Sequence, residues 1–240
     1  MSILSELLGD VASLFFSSAC PVCGEPFRTG EQGVCSFCRA TAPLTGFWHE
    51  ACNPVFRKFE GLVPLERASG FLYYLHDSGW RRAIHSFKYR GAWRTARVLG
   101  DWYGHALAES GLYGTVDAVV PLPLHPLRLL RRGYNQSEHL AAGIAAQLGV
   151  PLDSRSVRRC RHTKKQALRS RCERPGNVAG AFAVRRPERL AGKHVLLVDD
   201  VMTTGSTLAS CAEAILRAVP DCRLSVAALA VSYRETGPKG

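Results

Sequence analysis

The segment His194–Thr207 constrains the fold of this chain more than any other segment. Its apolar run Val195–Val198 is typical of a strand that is buried on both faces. The run ends in two adjacent carboxylates, Asp199 and Asp200, and a small turn rich in hydroxyl groups follows them. A helical pattern begins directly after the turn. This order of strand, acidic pair, turn and helix predicts an α/β sheet with a ligand site where the strand ends.

The turn and the acidic pair suit different parts of one ligand. Backbone N–H groups at a helix start, together with the helix dipole, bind phosphate, and Gly205 allows a close approach. Asp199 and Asp200 suit the hydroxyl groups of a sugar or a bound Mg²⁺ ion. In the alternative interpretation these residues only cap a strand and a helix, but two adjacent carboxylates at a buried strand end repel each other without a partner. A P-loop ATPase is excluded, because the chain has no G-x-x-x-x-G-K-[ST] motif.

The segment Val198–Thr207 resembles the binding loop for phosphoribosyl pyrophosphate (PRPP) in type I phosphoribosyltransferases. The resemblance implies that Asp199 and Asp200 hold the 2′- and 3′-hydroxyls of the ribose. It also implies that the turn holds the 5′-phosphate. The turn residues are Thr203, Thr204, Gly205, Ser206 and Thr207.

Four of the nine cysteines are spaced for metal binding, as Cys20-Pro-Val-Cys23 and Cys35-Ser-Phe-Cys38. Each C-x-x-C pair presents two thiolates to one tetrahedral ion. A single pair is equally typical of a redox site, but two pairs so close together favour structural zinc, and iron in the same cage stays an alternative. The preceding residues 2–16 have the spacing of an amphipathic helix. We therefore expect residues 1–60 to form a helix, a zinc-binding module and a linker.

The composition indicates the kind of partner to expect. The net charge of +11 and the pI near 9.5 favour anionic partners: a phosphorylated substrate, nucleic acid or an acidic membrane surface. No apolar run reaches the ~20 residues of a membrane span. The N-terminal segment also lacks the pattern of a secretory signal, since Glu6 and Asp10 interrupt its apolar stretch. These features predict a cytoplasmic protein.

Residues 61–240 are expected to form one α/β domain. Strands are predicted at 70–75, 116–120, 181–184 and 224–232, and helices at 78–87, 92–109 and 135–148. A basic turn is expected at 88–91, and a proline-rich turn at 121–126 leads to arginines at 128, 131 and 132. The most basic segment, 155–177, suits a mobile lid that orders over an anionic ligand, and it equally suits a surface for nucleic acid, although it has no aromatic residues for base stacking. Residues 234–240 are expected to be a frayed tail.

Further motifs narrow the resemblance to the ComF family of bacterial phosphoribosyltransferase-like proteins. Val120–Pro126 with Arg132–Glu138 is similar to the pyrophosphate-loop segment of that family. The flexible-loop segment is matched by Arg161, Thr163, Gln166, Arg171, Arg174 and Asn177, followed by Gly180–Phe182. The resemblance implies a doubly wound parallel sheet with a hood, preceded by the zinc module. It also implies PRPP with Mg²⁺ in the crevice, with Arg132, Gln166 and Arg171 among the ligand-binding residues.

Two functions stay open at this point. As a transferase, the chain displaces pyrophosphate from PRPP onto an acceptor that no motif identifies, with Asp199 and Asp200 as catalytic residues beside the cationic ribose. As a non-catalytic competence factor, it contacts single-stranded DNA through the zinc module and the basic surface. The family resemblance implies a role in natural transformation beside the DNA-uptake machinery, on the cytoplasmic side of the membrane.

Overall fold

A computed structural model describes residues 19–87, 93–160 and 181–237. The strands in these ranges are β1 Arg67–Tyr74, β2 Ala118–Pro121, β3 Val157–Arg159, β4 Phe182–Val184, β5 His194–Met202 and β6 Arg223–Ser232. The helices are α1 Ser36–Ala40, α2 Pro54–Arg57, α3 Gly79–Ser86, α4 Trp93–Glu109, α5 Pro126–Arg132, α6 Gln136–Leu148, α7 Ser206–Ala218 and α8 Tyr233–Thr236. Short 3₁₀ helices lie at Phe47–His49 and Pro187–Arg189.

The described residues form a parallel four-stranded sheet in the order β1-β6-β5-β2. Strand β5 lies inside the sheet, paired with β2 and β6. Its side chains alternate between two buried clusters: Leu196 and Val198 pack on the side of α4 and α6, whereas Val195 and Leu197 pack on the side of α7. Apolar cores therefore cover both faces, which confirms the predicted α/β architecture and the predicted burial of this strand.

Strand β5 continues past the acidic pair, although the sequence predicts that it ends there. Neighbouring β6 is long enough to pair with Val201 and Met202 as well, through Ala230 and Val231. The two carboxylates therefore belong to the last part of a paired strand and are held by the ladder.

Helices α4 and α6 pack closely over the β5 face that carries Leu196. A Cβ atom added at Gly143 would lie 2.4 Å from the backbone nitrogen of Asp101, so only glycine permits this approach. Asn135 caps α6, and its side chain accepts a hydrogen bond from the Ser137 N–H at 3.3 Å. The cap and the close packing fix the first turn of α6 beside the carboxyl end of β5.

The four-cysteine module packs against the α/β domain. Cys20, Cys35 and Cys38 are buried in the same apolar cluster as Trp80 and Phe71. The amphipathic helix expected at 2–16, the basic turn at 88–91 and the flexible-loop residues 161–180 lie outside the described residues.

Two local expectations are wrong, and helix α5 is an addition to the predicted elements. The proline-rich turn leads into α5, because His125 accepts a hydrogen bond from the Leu127 N–H and Pro126 occupies the first helical position. Residues 157–159, expected to be part of a lid, instead pair with β4. The tail forms α8, where Tyr233 packs edge-on against Tyr73 with ring centroids 5.2 Å apart. None of the described helices has the length and apolar character needed to cross a bilayer.

Candidate functional site

A cleft of about 540 Å³ lies beyond the ends of β2 and β5, with the first turn of α6 on one side. It brings together residues that are far apart in the sequence: Asp199, Asp200, Thr203, Thr207 and Arg132 all line it. The other turn residues, at 204–206, follow the same strand but do not line the cleft. Parallel strands place their carboxyl ends at one edge of a sheet, which explains the convergence.

Two side chains from the start of α6 hold the acidic pair. Ser137 Oγ donates a hydrogen bond to Asp199 Oδ1 at 3.1 Å, and Gln136 Nε2 donates one to Asp200 Oδ2 at 3.1 Å. Arg132 Nη1 in turn donates to Gln136 Oε1 at 3.0 Å. A polar chain therefore runs from an arginine through an amide to a carboxylate.

Sequence reasoning did not assign these roles to Gln136 and Ser137. Two signals mark this position: both residues lie in the segment Arg132–Glu138 that is similar to the pyrophosphate loop of the family, and they directly follow the capping Asn135. The sequence pattern alone shows the cap but not the strand that the helix start faces.

The electrostatics of the cleft are unbalanced. Burial raises the pKa of Asp199, and the negative charge of Asp200 raises it further. Burial lowers the pKa of Arg132, although the attraction of Asp200 opposes the change. Within the described residues neither aspartate forms a salt bridge with a lysine or arginine. The pair therefore fits a ligand that brings hydroxyl groups or a divalent cation, because either stabilises the ionised carboxylates.

The turn after β5 is open to an anion. Gly205 has a φ of +79° and is the N-cap residue of α7, where it supplies no side-chain cap; the Ser206 N–H makes one long contact, 3.5 Å to Thr204 Oγ1. The positive φ favours glycine at this position, and a Cβ atom there would also make a tight contact, 3.3 Å from Phe59 Cζ. Thr203, Thr204 and Ser206 are exposed. The uncapped N–H groups and these hydroxyls suit a phosphate group.

The four cysteines of the N-terminal module converge on one point. Their Sγ atoms all lie within 4.8 Å of one another, and Cys23 Sγ lies 3.7 Å from Cys35 Sγ. Tetrahedral zinc with Zn–S bonds of about 2.3 Å needs a spacing of about 3.8 Å, so the set fits the ion. Burial raises the pKa of the Cys20 thiol, but backbone N–H groups of Cys35 and Cys23 outweigh it and lower the pKa to about 7. These four residues can bind one metal ion.

Comparison with known proteins agrees with this geometry. Residues 135–239 match the phosphoribosyl transferase domain family. The DNA utilization protein YhgH of Escherichia coli (strain K12) is 33% identical over 213 residues, which cover 82% of this chain and 90% of that protein. The protein of the same name from Salmonella typhimurium is 42% identical over 210 residues, with the same coverage. Competence protein F of Haemophilus influenzae is 42% identical over 94 residues, 38% of this chain and 41% of its own length.

The chain belongs to the ComF family, whose members carry a phosphoribosyltransferase domain. Solved structures of adenine phosphoribosyltransferases, one of them from Saccharomyces cerevisiae, also match. Both matches cover 63% of this chain. The first covers 76% of the matched chain, with a TM-score of 0.38 and 19% identity, and the yeast structure covers 75% of its chain, with a TM-score of 0.36 and 20% identity. That likeness is too weak to add an argument about function. In this ComF-family chain, Gln166 and Arg171 lie outside the described residues.

Proposed function

We propose that the cleft binds PRPP together with Mg²⁺, and that the protein acts in the uptake or use of DNA during natural competence. The observation that carries the first part is the position of Asp199 and Asp200 in one cleft with Thr203, Thr207 and Arg132. Acidic groups for a ribose, a turn for a phosphate and arginine for a diphosphate are the three needs of this ligand. The names of the relatives, DNA utilization protein and competence protein, support the second part.

Each group has a distinct task in this proposal. Asp199 and Asp200 accept hydrogen bonds from the ribose hydroxyls, and the turn residues 203–207 bind the 5′-phosphate. Arg132 meets the pyrophosphate and also fixes Gln136, which holds Asp200 in position. Mg²⁺ supplies the positive charge that offsets the diphosphate when PRPP is bound. Gln166 and Arg171 are proposed to complete the site from the flexible-loop segment.

Turnover requires an acceptor that attacks the anomeric carbon of the ribose while pyrophosphate leaves. In that reaction the two carboxylates stabilise the positive charge that develops on the ribose, so Asp199 and Asp200 are the proposed catalytic residues. The acceptor is not identified by the described residues. Release of pyrophosphate on addition of single-stranded DNA or of free nucleobases is the assay for this step.

The second candidate function is single-stranded DNA binding without turnover. The net charge of +11 and the basic segment 155–177 favour it, because arginine and lysine contacts with phosphates dominate the affinity of such proteins. The carboxylates of the cleft would repel a DNA backbone, so this activity belongs to other surfaces, including the four-cysteine module. The two functions are compatible with one another.

The four-cysteine module is proposed to hold structural zinc. Because three of its cysteines are buried in the same cluster as Trp80, the ion stabilises the packing of the module on the α/β domain as well as the module itself. A cytoplasmic location, at the inner face of the membrane when DNA enters, follows from this function and stays a prediction.

Calorimetric titration of PRPP into the purified protein tests the proposal. Mg²⁺ is omitted rather than chelated in the control, so that metal in the four-cysteine module is not removed. Saturable binding that requires Mg²⁺ is the expected result. Absence of binding in both buffers would contradict the assignment of the cleft and leave DNA binding as the function to pursue.

A further inference from the structure

A second cavity, of about 500 Å³, adjoins the cleft at the Pro123–Leu124 segment, which lines both cavities. Both cavities include Asn135 and Arg159 in their walls, so they are neighbours. We call the second one the arginine pocket, because five arginines line it. They are Arg155, Arg158, Arg159, Arg185 and Arg186.

The antiparallel pair of β3 and β4 brings these arginines together from two separate segments. Arg159 lies opposite Phe182 in the ladder, with its guanidinium 5.2 Å from the centre of the ring. The Arg185 N–H donates to the Ser156 carbonyl at 2.7 Å. Asp153 accepts hydrogen bonds from the backbone N–H groups of Arg155 and Ser156, so its carboxylate is engaged in holding the loop before β3. Backbone pairing therefore concentrates the positive charges in one concave surface.

The described residues balance the charge of the arginine pocket poorly. Among them, Glu138 is the one carboxylate that lines the pocket. In the described part of the chain, the side chains of Arg155, Arg158, Arg185 and Arg186 form no salt bridge. Burial lowers the pKa of Arg159, the positive charge of Arg128 in the neighbouring cleft lowers it further, and the negative charge of Asp199 opposes the change.

An isolated solvated arginine needs no ligand, but five in one concavity repel one another without an anion. The rest of the pocket wall is mixed: Leu124, Leu129 and Val157 lie beside polar residues, and the described residues of the wall include no aromatic ring. This surface therefore offers no aromatic ring on which a base could stack. It offers charge-assisted hydrogen bonds to phosphate oxygens.

We propose that the arginine pocket binds a phosphate group of the ligand that meets PRPP in the adjoining cleft. The phosphate belongs either to a free nucleotide or to a nucleic-acid strand. The pocket is a phosphate site in its own right; only the encounter with PRPP rests on the proposed function of the cleft. Arg158 and Arg185 are the residues that test it, because they line the pocket and not the cleft.

The experiment compares three full-length proteins: wild type, the double variant Arg158→Gln/Arg185→Gln and a control, Arg57→Gln/Arg81→Gln. The control removes the same charge from exposed positions that line neither cavity. Each protein is titrated with PRPP and Mg²⁺, with thymidine monophosphate, with thymidine, and with a labelled single-stranded oligothymidylate. Circular dichroism and Tm confirm that all three are folded.

The pocket variant should bind at least one phosphate-bearing probe about tenfold more weakly than wild type, and the control less than about twofold more weakly. Weakening for the mononucleotide identifies a free nucleotide as the source, and weakening for the oligonucleotide alone identifies a strand. For the strand, two lost contacts should also reduce the salt slope by about 1.4.

Two outcomes would overturn the proposal. These are unchanged affinity for both thymidine monophosphate and the oligonucleotide, and equal weakening in the control variant. If the cleft does not bind PRPP, the result is different, because wild type then shows no PRPP binding. Thymidine monophosphate and the oligonucleotide still test whether the arginine pocket binds phosphate.

Discussion

Gln136 Nε2 donates a hydrogen bond to Asp200 Oδ2 at 3.1 Å and thereby ties the start of α6 to the end of β5. The same amide accepts from Arg132 Nη1 at 3.0 Å. One side chain thus sets the positions of a carboxylate and a guanidinium that approach opposite ends of the proposed ligand. The cleft is organised by an uncharged residue between two charged ones.

Replacement of Gln136 by leucine should weaken Mg²⁺-dependent binding of PRPP about tenfold, because Asp200 loses a donor and Arg132 loses an acceptor. Calorimetry measures the change. Gln147→Leu, on the exposed side of the same helix, is the matched control and should bind as wild type does. Equal affinities in wild type and Gln136→Leu would show that the amide does not position the site.

Asp199→Asn should stabilise the protein at neutral pH. Burial and the charge of Asp200 raise the pKa of Asp199 in the folded state above its pKa in the unfolded chain. As pH rises above the pKa of the unfolded chain, ionisation of Asp199 therefore lowers the free energy of unfolding. Asparagine retains an acceptor for the Ser137 hydroxyl and carries no charge. Thermal unfolding of both proteins from pH 4 to 8 should show a Tm difference that grows with pH, and a constant or opposite difference would contradict the argument.

Stability should decline as pH falls from about 7 to 5, partly through His194. Burial and the charge of Arg223 lower the pKa of this side chain, whose ring nitrogens lie 2.9 Å from Thr115 Oγ1 and 2.8 Å from Ser225 Oγ. As pH falls, the unfolded chain therefore binds a proton at His194 more readily than the folded chain does, and this favours unfolding. Urea unfolding should show a shallower pH dependence for His194→Gln than for wild type, and an equal dependence in the two proteins would contradict the argument.

Metal analysis should find about one zinc per chain, as four thiolates around one ion imply. Cys38→Ser should lose the zinc and lower Tm by about 10 °C, because an open metal site also exposes the buried cluster that contains Trp80. Cys52→Ser changes an exposed cysteine outside the four-cysteine cluster and is the control; it should keep the zinc content and the Tm of wild type. Retention of full zinc and Tm in Cys38→Ser would remove this residue from the ligand set.

The elements that the sequence predicts well have strong local signals. The apolar run of β5 can only be buried inside a sheet, and Asn135 marks the start of α6 by its capping chemistry. The cysteine spacing likewise predicts a cluster that the structure contains.

The features that the sequence does not reveal depend on pairing between distant segments. Arg158 and Arg185 share a pocket because β3 pairs with β4; a strand is predicted at 181–184, but the three residues of β3 are too few to leave a strand signal. Helix α5 was missed for another reason: prolines around His125 indicate a turn, yet Pro126 at the first helical position also starts a helix.

Binding of PRPP to wild type, Asp199→Asn and Asp200→Asn in the presence of Mg²⁺ tests the central claim most directly, with single-stranded DNA affinity measured on the same samples. We expect wild type to bind PRPP and each variant to bind it on the order of 10- to 100-fold more weakly, with DNA affinity unchanged. Unchanged PRPP affinity in both variants, or an equal loss of both ligands, would contradict the assignment of this cleft as a separate PRPP site.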